Sequence, residues 1–213
     1  MHKIPLFFIV ILIVSCNAGG DNANNKNTIG KSSSQKDKSL QSADSLGWIN
    51  NFRIFRDAVY QNDRARVKQF FDFPIMNGNN EMWYLAKTGN DEALNLPSDS
   101  IKPFTEKDFD KYYDKIFSKP FINCLLKIKT QELYDKGHYE SVEFKEGKST
   151  YSLSVTVDKE DNTLQLNLFV KFPYKSEDEN GKDIEEFGES AVLYYFSILN
   201  NTQLKFKQIY MAG

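Results

Sequence analysis

The spacing of apolar residues changes near residue 138, and this change constrains the fold more than any other feature of the chain. Before it, apolar side chains recur every three or four residues, which indicates helices with one buried face. After it, they alternate with polar side chains, which indicates strands with one buried and one wet face. We therefore expect helices in the first half and antiparallel strands in the second.

Four amphipathic helices are expected before the change. Their apolar stripes are Trp48, Phe52, Phe55 and Val59; Val67, Phe70 and Phe71; Phe109, Tyr112, Tyr113, Ile116 and Phe117; and Phe121, Cys124, Leu125 and Ile128. Phe73–Pro74 is expected to stop the second helix, and Gly137 the fourth. Thr105–Asp108 has the form of a capping box at the start of the third. Asn77–Asn80 predicts a turn, and Met82–Leu85 a short strand.

Four long strands are expected after a short one near Val142 and Phe144. On the first three, the inward positions are Tyr151, Leu153, Val155 and Val157; Leu164, Leu166, Leu168 and Val170; and Val192, Tyr194, Phe196 and Ile198. Asn200–Asn201 suits a tight turn before the last strand. A bulge near Lys207–Gln208 is expected because the apolar parity changes along that strand.

Elements in this order predict a single α+β domain over residues 48–213, with N-terminal helices on one face of a curved antiparallel sheet formed mainly by the C-terminal half. The element order, the segment Phe52–Val59 and the dipeptide Phe73–Pro74 resemble the nuclear-transport-factor-2-like superfamily of cystatin-like α+β rolls. That superfamily occurs in many small lipoproteins of Bacteroidota-type bacteria. Its members include enzymes, small-ligand binders and modules for protein contacts, so the resemblance does not select a function.

The N-terminus resembles a bacterial lipoprotein signal peptide. Lys3 precedes the apolar run Ile4–Val14, whose 11 residues are fewer than the about 20 that a membrane-spanning helix needs. Ile13–Cys16 resembles a lipobox, in which the cysteine is lipidated and becomes the first mature residue. Residues 1–15 are thus expected to be removed and Cys16 to anchor the protein in the cell envelope. Asn17 favours the outer membrane, because it is not the aspartate that retains many lipoproteins in the inner membrane.

Residues 16–47 combine the lipidated cysteine with a tract rich in Asn, Ser, Lys and Gly. Such a tract buries too little apolar surface to offset the entropy of ordering, so we expect a disordered tether. Its 31 residues after Cys16 have a root-mean-square reach of roughly 30 Å. Loss of Lys3 with the signal peptide changes the formal charge from −2 to −3, which predicts no binding of nucleic acid.

Few residues offer catalytic or metal chemistry. His138 is the only histidine after residue 15 and is expected at the surface near a strand start, not in a metal site. Cys124 lies on an apolar stripe and is expected to be a core thiol rather than a nucleophile. The inward strand positions carry no Asp, Glu or His, which argues against acid–base catalysis. Asp110 and Asp114 are expected on the wet face of their helix, and no cofactor is predicted.

The acidic stretch Glu177–Glu186 invites comparison with a calcium loop. Aligning Gly181 with the glycine of an EF-hand loop places Phe187 at position twelve, where a bidentate glutamate is required. A solvated loop between strands is therefore expected, with calcium capture as the alternative.

Clustered arginines form the first candidate binding surface. All four arginines of the chain lie within 14 residues: Arg53, Arg56, Arg64 and Arg66. Guanidinium groups bind carboxylates and phosphates bidentately, so the cluster could hold an anion or a partner. The alternative is a solvated face paired with Asp57 and Asp63.

Apolar residues on the wet face of the sheet form the second candidate surface. Phe169, Leu193 and Tyr195 interrupt a pattern of Ser, Gln and Lys. If they are adjacent, they form an apolar patch suited to a protein partner or a homodimer. A covering loop is the alternative.

The sequence favours a non-catalytic, lipid-anchored binding or interaction module. One alternative is an enzyme of isomerase or dehydratase type with a small apolar pocket, and another is a structural spacer in an envelope complex. An enzyme requires a pocket with a shifted carboxylate or histidine pointing in. An interaction module requires a filled interior and an exposed patch around Tyr195. The expected partners are the membrane, through the lipid, and a protein at the sheet face; no small ligand is identified.

Overall fold

Helices and strands separate at Gly137, as the change of apolar period predicts. The computed structural model describes residues 47–76, 80–87, 102–179 and 181–213, and over these ranges six helices are followed by six strands. The predicted signal peptide, Cys16 and the tether up to residue 46 lie outside the described residues, as do residues 77–79 of the predicted turn. The predicted α+β class is confirmed.

The sheet is antiparallel throughout. The helices are α1 (Trp48–Tyr60), α2 (Arg64–Lys68), α3 (Glu81–Lys87), α4 (Glu106–Ile116), α5 (Lys119–Leu125) and α6 (Thr130–Lys136). The strands are β1 (His138–Glu140), β2 (Phe144–Glu146), β3 (Ser149–Asp158), β4 (Thr163–Glu177), β5 (Asp183–Leu199) and β6 (Gln203–Ala212). Their order is β1-β3-β4-β5-β6. β1 and β2 both pair with one edge of β3, and β4 pairs with its other edge.

Local signals set several helix ends where they are predicted. Thr105 and Asp108 form the expected capping box at the start of α4: the Asp108 N–H donates to Thr105 Oγ1, and the Thr105 N–H donates to Asp108 Oδ2. Ser118 caps α5, with Pro120 in the first turn, where its missing N–H costs nothing. Gly137 ends α6 with a φ of 73°, a left-handed conformation that suits glycine.

The second helix is shorter than predicted. α2 ends at Lys68, so Phe70 and Phe71 follow the helix instead of belonging to it. The chain leaves helical geometry there because the Phe70 carbonyl accepts a hydrogen bond of 2.7 Å from the Phe206 N–H on β6. Both phenylalanines are still buried.

The prediction of a strand at Met82–Leu85 is wrong, because these residues belong to helix α3. The buried side chains are Met82, Leu85 and Ala86, at the i, i+3 and i+4 spacing of a helix face. A run of four apolar residues fits both the helical period of 3.6 and the strand period of 2. Ala86, outside the predicted segment, adds the buried position that distinguishes the helix.

The predicted helix from Pro120 to Gly137 is two helices, α5 and α6. At the break between them, the Ile128 carbonyl accepts a hydrogen bond from Arg56 Nη1 at 3.4 Å, and Thr130 Oγ1 accepts one from Arg53 Nε at 3.0 Å. These bonds from α1 stabilise the break. Ile128 remains buried, so the predicted apolar stripe is correct although the helix is not continuous.

Strand parity is as predicted. Eight of the inward positions are buried: Leu153, Val155, Leu164, Leu166, Leu168, Tyr194, Phe196 and Ile198. The other four pack half-buried against the same core: Tyr151, Val157, Val170 and Val192. The short strand β2 begins at Phe144, whereas Val142 is exposed, and β1 begins at His138, where a strand start was expected.

The predicted bulge and turn of the last hairpin are confirmed. Phe196 faces Phe206 and Tyr195 faces Gln208, so Lys207 has no partner across the ladder. The bulge changes the parity of β6 and keeps its apolar residues on the core side. Asn200 and Asn201 have φ of 50° and 60°, as the predicted turn requires.

The prediction of a solvated loop over Glu177–Glu186 is wrong for half of that stretch. β4 runs to Glu177 and β5 begins at Asp183, so residues 178–182 alone join the two strands. Cross-strand ion pairs such as Lys175 Nζ to Asp183 Oδ2, at 3.3 Å, stabilise the extended conformation.

Aromatic rings fill the space between the helices and the sheet. Phe55 of α1 stands edge-on to Phe196 of β5, with ring centroids 5.0 Å apart. Phe71 stacks on Phe206 of β6 at 4.7 Å. The buried side chains of the helices and the inward side chains of the strands form one cluster. The helices therefore lie on one face of the sheet, and the interior is packed with side chains.

Two buried tyrosines provide a matched test of hydrogen bonding in this core. The Tyr194 hydroxyl donates to the Ile116 carbonyl at 2.5 Å, whereas the Tyr113 hydroxyl has no hydrogen-bond partner among the described residues. We expect Tyr194→Phe to lower the free energy of unfolding by about 1–2 kcal/mol, because a buried carbonyl loses its donor. Tyr113→Phe should leave it unchanged or raise it by about 1 kcal/mol. Urea unfolding measures both changes, and equal losses would contradict this assignment.

Candidate interaction surface

The outer face of the sheet, opposite the helices, brings together the three residues predicted as a patch. Phe169 lies on β4, and Leu193 and Tyr195 lie on β5, all with parity opposite to the buried residues. Phe169 faces Ala191, and Leu193 faces Asn167. Phe169 and Leu193 are thus diagonal neighbours, roughly 7–8 Å apart between backbones.

Tyr210 on β6 extends this group. It faces Leu193 across the β5–β6 ladder, and its ring stands edge-on to that of Tyr195, with centroids 5.4 Å apart and an interplanar angle of 88°. The sequence prediction missed Tyr210. The expected bulge contained the necessary signal, because it turns Tyr210 outward when Ile209 turns inward. Phe169, Leu193, Tyr195 and Tyr210 are called the sheet-face patch below.

The sheet-face patch is partly accessible. Phe169 is 43% exposed, and the other three members are partly buried. Within the described ranges, the buried side chains of all six helices belong to the core on the opposite face. An apolar group of this kind on a sheet face is a common site of protein contact.

The first two arginines connect α1 to the break between α5 and α6. Arg53 and Arg56 donate to Thr130 and to the Ile128 carbonyl, as described above. Arg56 also pairs with Asp57 at 3.2 Å, the partner that the solvated-face alternative names. These guanidinium groups therefore stabilise the packing of helices.

The third arginine connects the start of α2 to α4. Arg64 Nη1 donates to the Asp110 carbonyl at 2.6 Å, and Nη2 lies 3.6 Å from the Asp114 carboxylate. The guanidinium also lies 4.8 Å from the centroid of the Tyr113 ring. Burial raises the pKa of Tyr113 to about 12, while the charge of Arg64 acts in the opposite direction.

Next to Arg64, Lys68 pairs with two acidic residues of α4, and Arg66 faces solvent. Lys68 Nζ lies 2.7 Å from Asp110 Oδ2 and 3.0 Å from Glu106 Oε1, and these hydrogen bonds raise the pKa of Lys68. Arg66 is exposed on α2. The structure thus places three of the four predicted arginines in contacts within the domain and leaves Arg66 facing solvent.

Cys124 and His138 do not form a catalytic pair. Cys124 is fully buried, and this burial raises the pKa of its thiol, so it packs as a small apolar residue. His138 is exposed at the start of β1, where its Nδ1 lies 3.0 Å from Thr156 Oγ1. Both positions agree with the sequence prediction.

One carboxyl group missed by the sequence prediction is partly buried. Glu81 begins α3, and burial raises the pKa of its carboxyl, although a hydrogen bond from the Met211 N–H opposes this shift. Its Oε2 is buried with no hydrogen-bond partner among the described residues. Asp110 and Asp114, in contrast, face solvent on α4, as predicted.

Some of the clefts on the described surface lie beside strands of the sheet. One of about 340 Å³ is lined by residues that include Glu143, Phe169 and Glu189. Another of about 610 Å³ lies at the opposite end, beside Trp48, Tyr134 and Asn162. Glu81 lines neither. Over the same described residues, no group of three or more His, Cys, Asp or Glu side chains is placed to hold a metal ion.

Comparison with protein-family models, with curated proteins and with solved structures finds no match. None of the described helices is both long enough and apolar enough to cross a membrane.

Proposed function

We propose that this protein is a non-catalytic interaction module, anchored by lipid to a bacterial cell envelope, that binds a protein through the sheet-face patch. The observation that carries the proposal is the contrast between the two faces of one sheet. The inner face is packed with aromatic side chains, and the outer face keeps a partly accessible apolar group in which Phe169 is exposed.

The filled interior supports binding at a surface over binding in a pocket. Small-ligand and active sites are usually concave, mostly apolar cavities with a few convergent polar groups. Here the position of such a cavity, between the helices and the sheet, is occupied by rings that include Phe55, Phe71 and Phe196. The enzyme alternative draws some support from the shifted carboxyl of Glu81. That group lines none of the clefts described above.

The N-terminal segment supports the envelope location. We propose that Cys16 carries the lipid and that the polar tract after it acts as a tether with a reach of roughly 30 Å. The domain would then search the space near the membrane without lying on it. We also propose the outer membrane in preference to the inner, because Asn17 follows the cysteine.

Site-specific crosslinking tests the proposal. The photoreactive residue p-benzoylphenylalanine is placed at Tyr195, and in a matched chain at Thr202, which is exposed in the β5–β6 turn. After illumination of intact envelopes, we expect a defined protein adduct from position 195 and none from 202. Leu193→Lys in the same chain should reduce the adduct by about tenfold, because a charge enters an apolar contact.

The mass of the adduct identifies the partner. An adduct of twice the chain mass shows a homodimer, and any other single mass shows a different protein. No adduct at Tyr195, or an equal yield at Thr202, would contradict the proposed function. Thermal unfolding of each chain verifies that these surface changes leave stability within about 0.5 kcal/mol.

A further inference from the structure

Strands β4 and β5 project beyond the rest of the sheet as a two-stranded ribbon. Pairing between β3 and β4 ends at Thr150 opposite Lys171, and pairing between β5 and β6 ends at Ala191 opposite Ala212. Among the described residues, the strand segments 172–177 and 183–188 pair only with each other. These residues and the turn between them are called the β4–β5 arm.

The arm has features that a third strand would satisfy. A two-stranded hairpin is marginally stable by itself, and its edges present unpaired N–H and C=O groups. The arm also exposes apolar side chains: Phe187 is 60% exposed, and Tyr174 and Ile184 are exposed as well. Phe187 and its partner Pro173 share the outer parity of Phe169, so the arm continues the face that carries the sheet-face patch.

The two edges of the arm differ in their capacity to accept a strand. On the β4 edge, Pro173 has no N–H to donate. Lys148, from the turn before β3, reaches over the arm to Glu185 at 3.1 Å. The β5 edge carries no proline and continues the line that β6 occupies along the rest of β5. An added strand would therefore lie on the β5 edge.

The charge of the arm selects the occupant. Residues 171–189 contain seven acidic residues and three lysines, and the β5 portion, residues 183–189, contains four acidic residues and no basic one. Lys175, Lys148 and Lys171 already pair with Asp183, Glu185 and Glu189, so the excess of negative charge, not an unpaired carboxylate, favours a basic partner. Two copies of this edge would repel each other. Charges on an edge are a known defence against self-pairing, and they exclude acidic strands without excluding basic ones.

We propose that the β5 edge of the arm binds an extended, lysine- or arginine-rich segment of a protein partner by strand addition. This proposal rests on the proposed function, because it specifies the chemistry of the partner. Strand addition supplies affinity through main-chain hydrogen bonds and specificity through alternate side chains.

The alternation of β5 predicts a pattern in the partner. On the outer face lie Glu185, Phe187 and Glu189. A partner strand would complement them with a basic, an apolar and a basic residue at its positions i, i+2 and i+4. On the other face, the partner strand would complement Ile184 with an apolar residue and Glu186 with a basic one. Neighbouring strands lie roughly 4.8 Å apart, so side chains of such length reach these groups.

A labelled peptide tests the proposal with the full chain. The probe is the fluorescein-labelled sequence Lys-Val-Val-Lys-Lys-Val between glycines, and fluorescence anisotropy at low salt measures its Kd. We expect saturable binding that weakens by about tenfold when glutamate replaces lysine, and by a similar factor when every peptide nitrogen is methylated. We also expect slower hydrogen exchange of β5 amides between residues 183 and 189 in the complex.

Charge reversal on the arm and at the adjacent Glu189 provides the matched comparison. Glu186→Lys with Glu189→Lys should weaken binding by about tenfold. Glu160→Lys with Asp161→Lys makes the same change of charge in the exposed β3–β4 turn, roughly 35–45 Å away along β4, and should leave the Kd within about twofold. Thermal unfolding establishes that both chains fold.

Three outcomes would overturn the proposal. They are no binding of the lysine peptide, equal binding of the methylated peptide, or equal effects of the two charge reversals. The crosslink at Tyr195 is measured separately from peptide binding. Failure of the arm proposal is therefore distinguishable from failure of the proposed function. A missing crosslink with intact peptide binding would instead overturn the role of the sheet-face patch.

Discussion

Replacing Phe117 with alanine is expected to lower the free energy of unfolding by about 3–5 kcal/mol. The ring is buried at the centre of the aromatic core, where it contacts six others: Phe55, Phe71, Phe109, Tyr113, Phe121 and Tyr194. Deleting it removes a large apolar group and leaves a cavity that rings held from several elements cannot close.

Urea unfolding followed by far-ultraviolet circular dichroism measures this loss. Phe187→Ala is the matched control, because it removes the same side chain from an exposed position on the arm. It should change stability by no more than about 0.5 kcal/mol. The free energy of unfolding of a natural domain is only about 5–15 kcal/mol, so the core variant should unfold at a clearly lower urea concentration. Equal midpoints would show that Phe117 does not lie in the core.

Replacing Cys16 with alanine is expected to move the protein from the membrane fraction to the soluble fraction. A lipidated cysteine that carries two or more acyl chains anchors stably, whereas one chain is marginal. Loss of the thiol removes the proposed site of lipid attachment.

Fractionation of cells by ultracentrifugation, followed by immunoblotting, measures this redistribution. Cys124→Ala is the matched control, because it removes the other cysteine from the buried core and should leave the protein with the membrane. Intact mass spectrometry of the wild-type protein should show a chain that begins at Cys16 and carries acyl groups. An unmodified Cys16, or retention of residues 1–15, would contradict the proposed localisation.

Strand positions were predictable because alternation is a strong local signal. One buried face forces apolar side chains to every second position, and a shift of one residue would expose them all. The same reasoning located the bulge in β6, since only an extra residue such as Lys207 reconciles its two apolar parities. Thr105–Asp108 and Gly137 were predictable for a similar reason, because caps satisfy backbone groups within a few residues.

Helix breaks were not predictable from local pattern. The stripe through Phe121 and Ile128 fits one helix, and the break after Leu125 is stabilised by Arg53 and Arg56, which lie about 70 residues earlier in the chain. Likewise, α2 ends where the Phe70 carbonyl bonds to β6. These ends depend on hydrogen bonds between distant segments, for which a single sequence contains no periodic signal.

Of the two candidate surfaces, one was predictable from local pattern and the other was not. The patch of Phe169, Leu193 and Tyr195 followed from strand parity, because parity assigns every side chain to a face. The roles of the arginines did not, because guanidinium partners depend on which helices become neighbours. Contacts with Ile128, Thr130, Asp110 and Asp114 arise only when α1 and α2 pack against later helices.

Local chemistry in the chain was sufficient to indicate the class of fold, the faces of the strands and the candidate lipid anchor, because each depends on periodicity or on a short motif. Tertiary packing alone decided that the interior is filled and that β4 and β5 extend past their neighbours. The acidic stretch Glu177–Glu186 shows the reason most clearly. Its charges indicate a loop by composition, yet cross-strand pairs hold half of it in a ribbon.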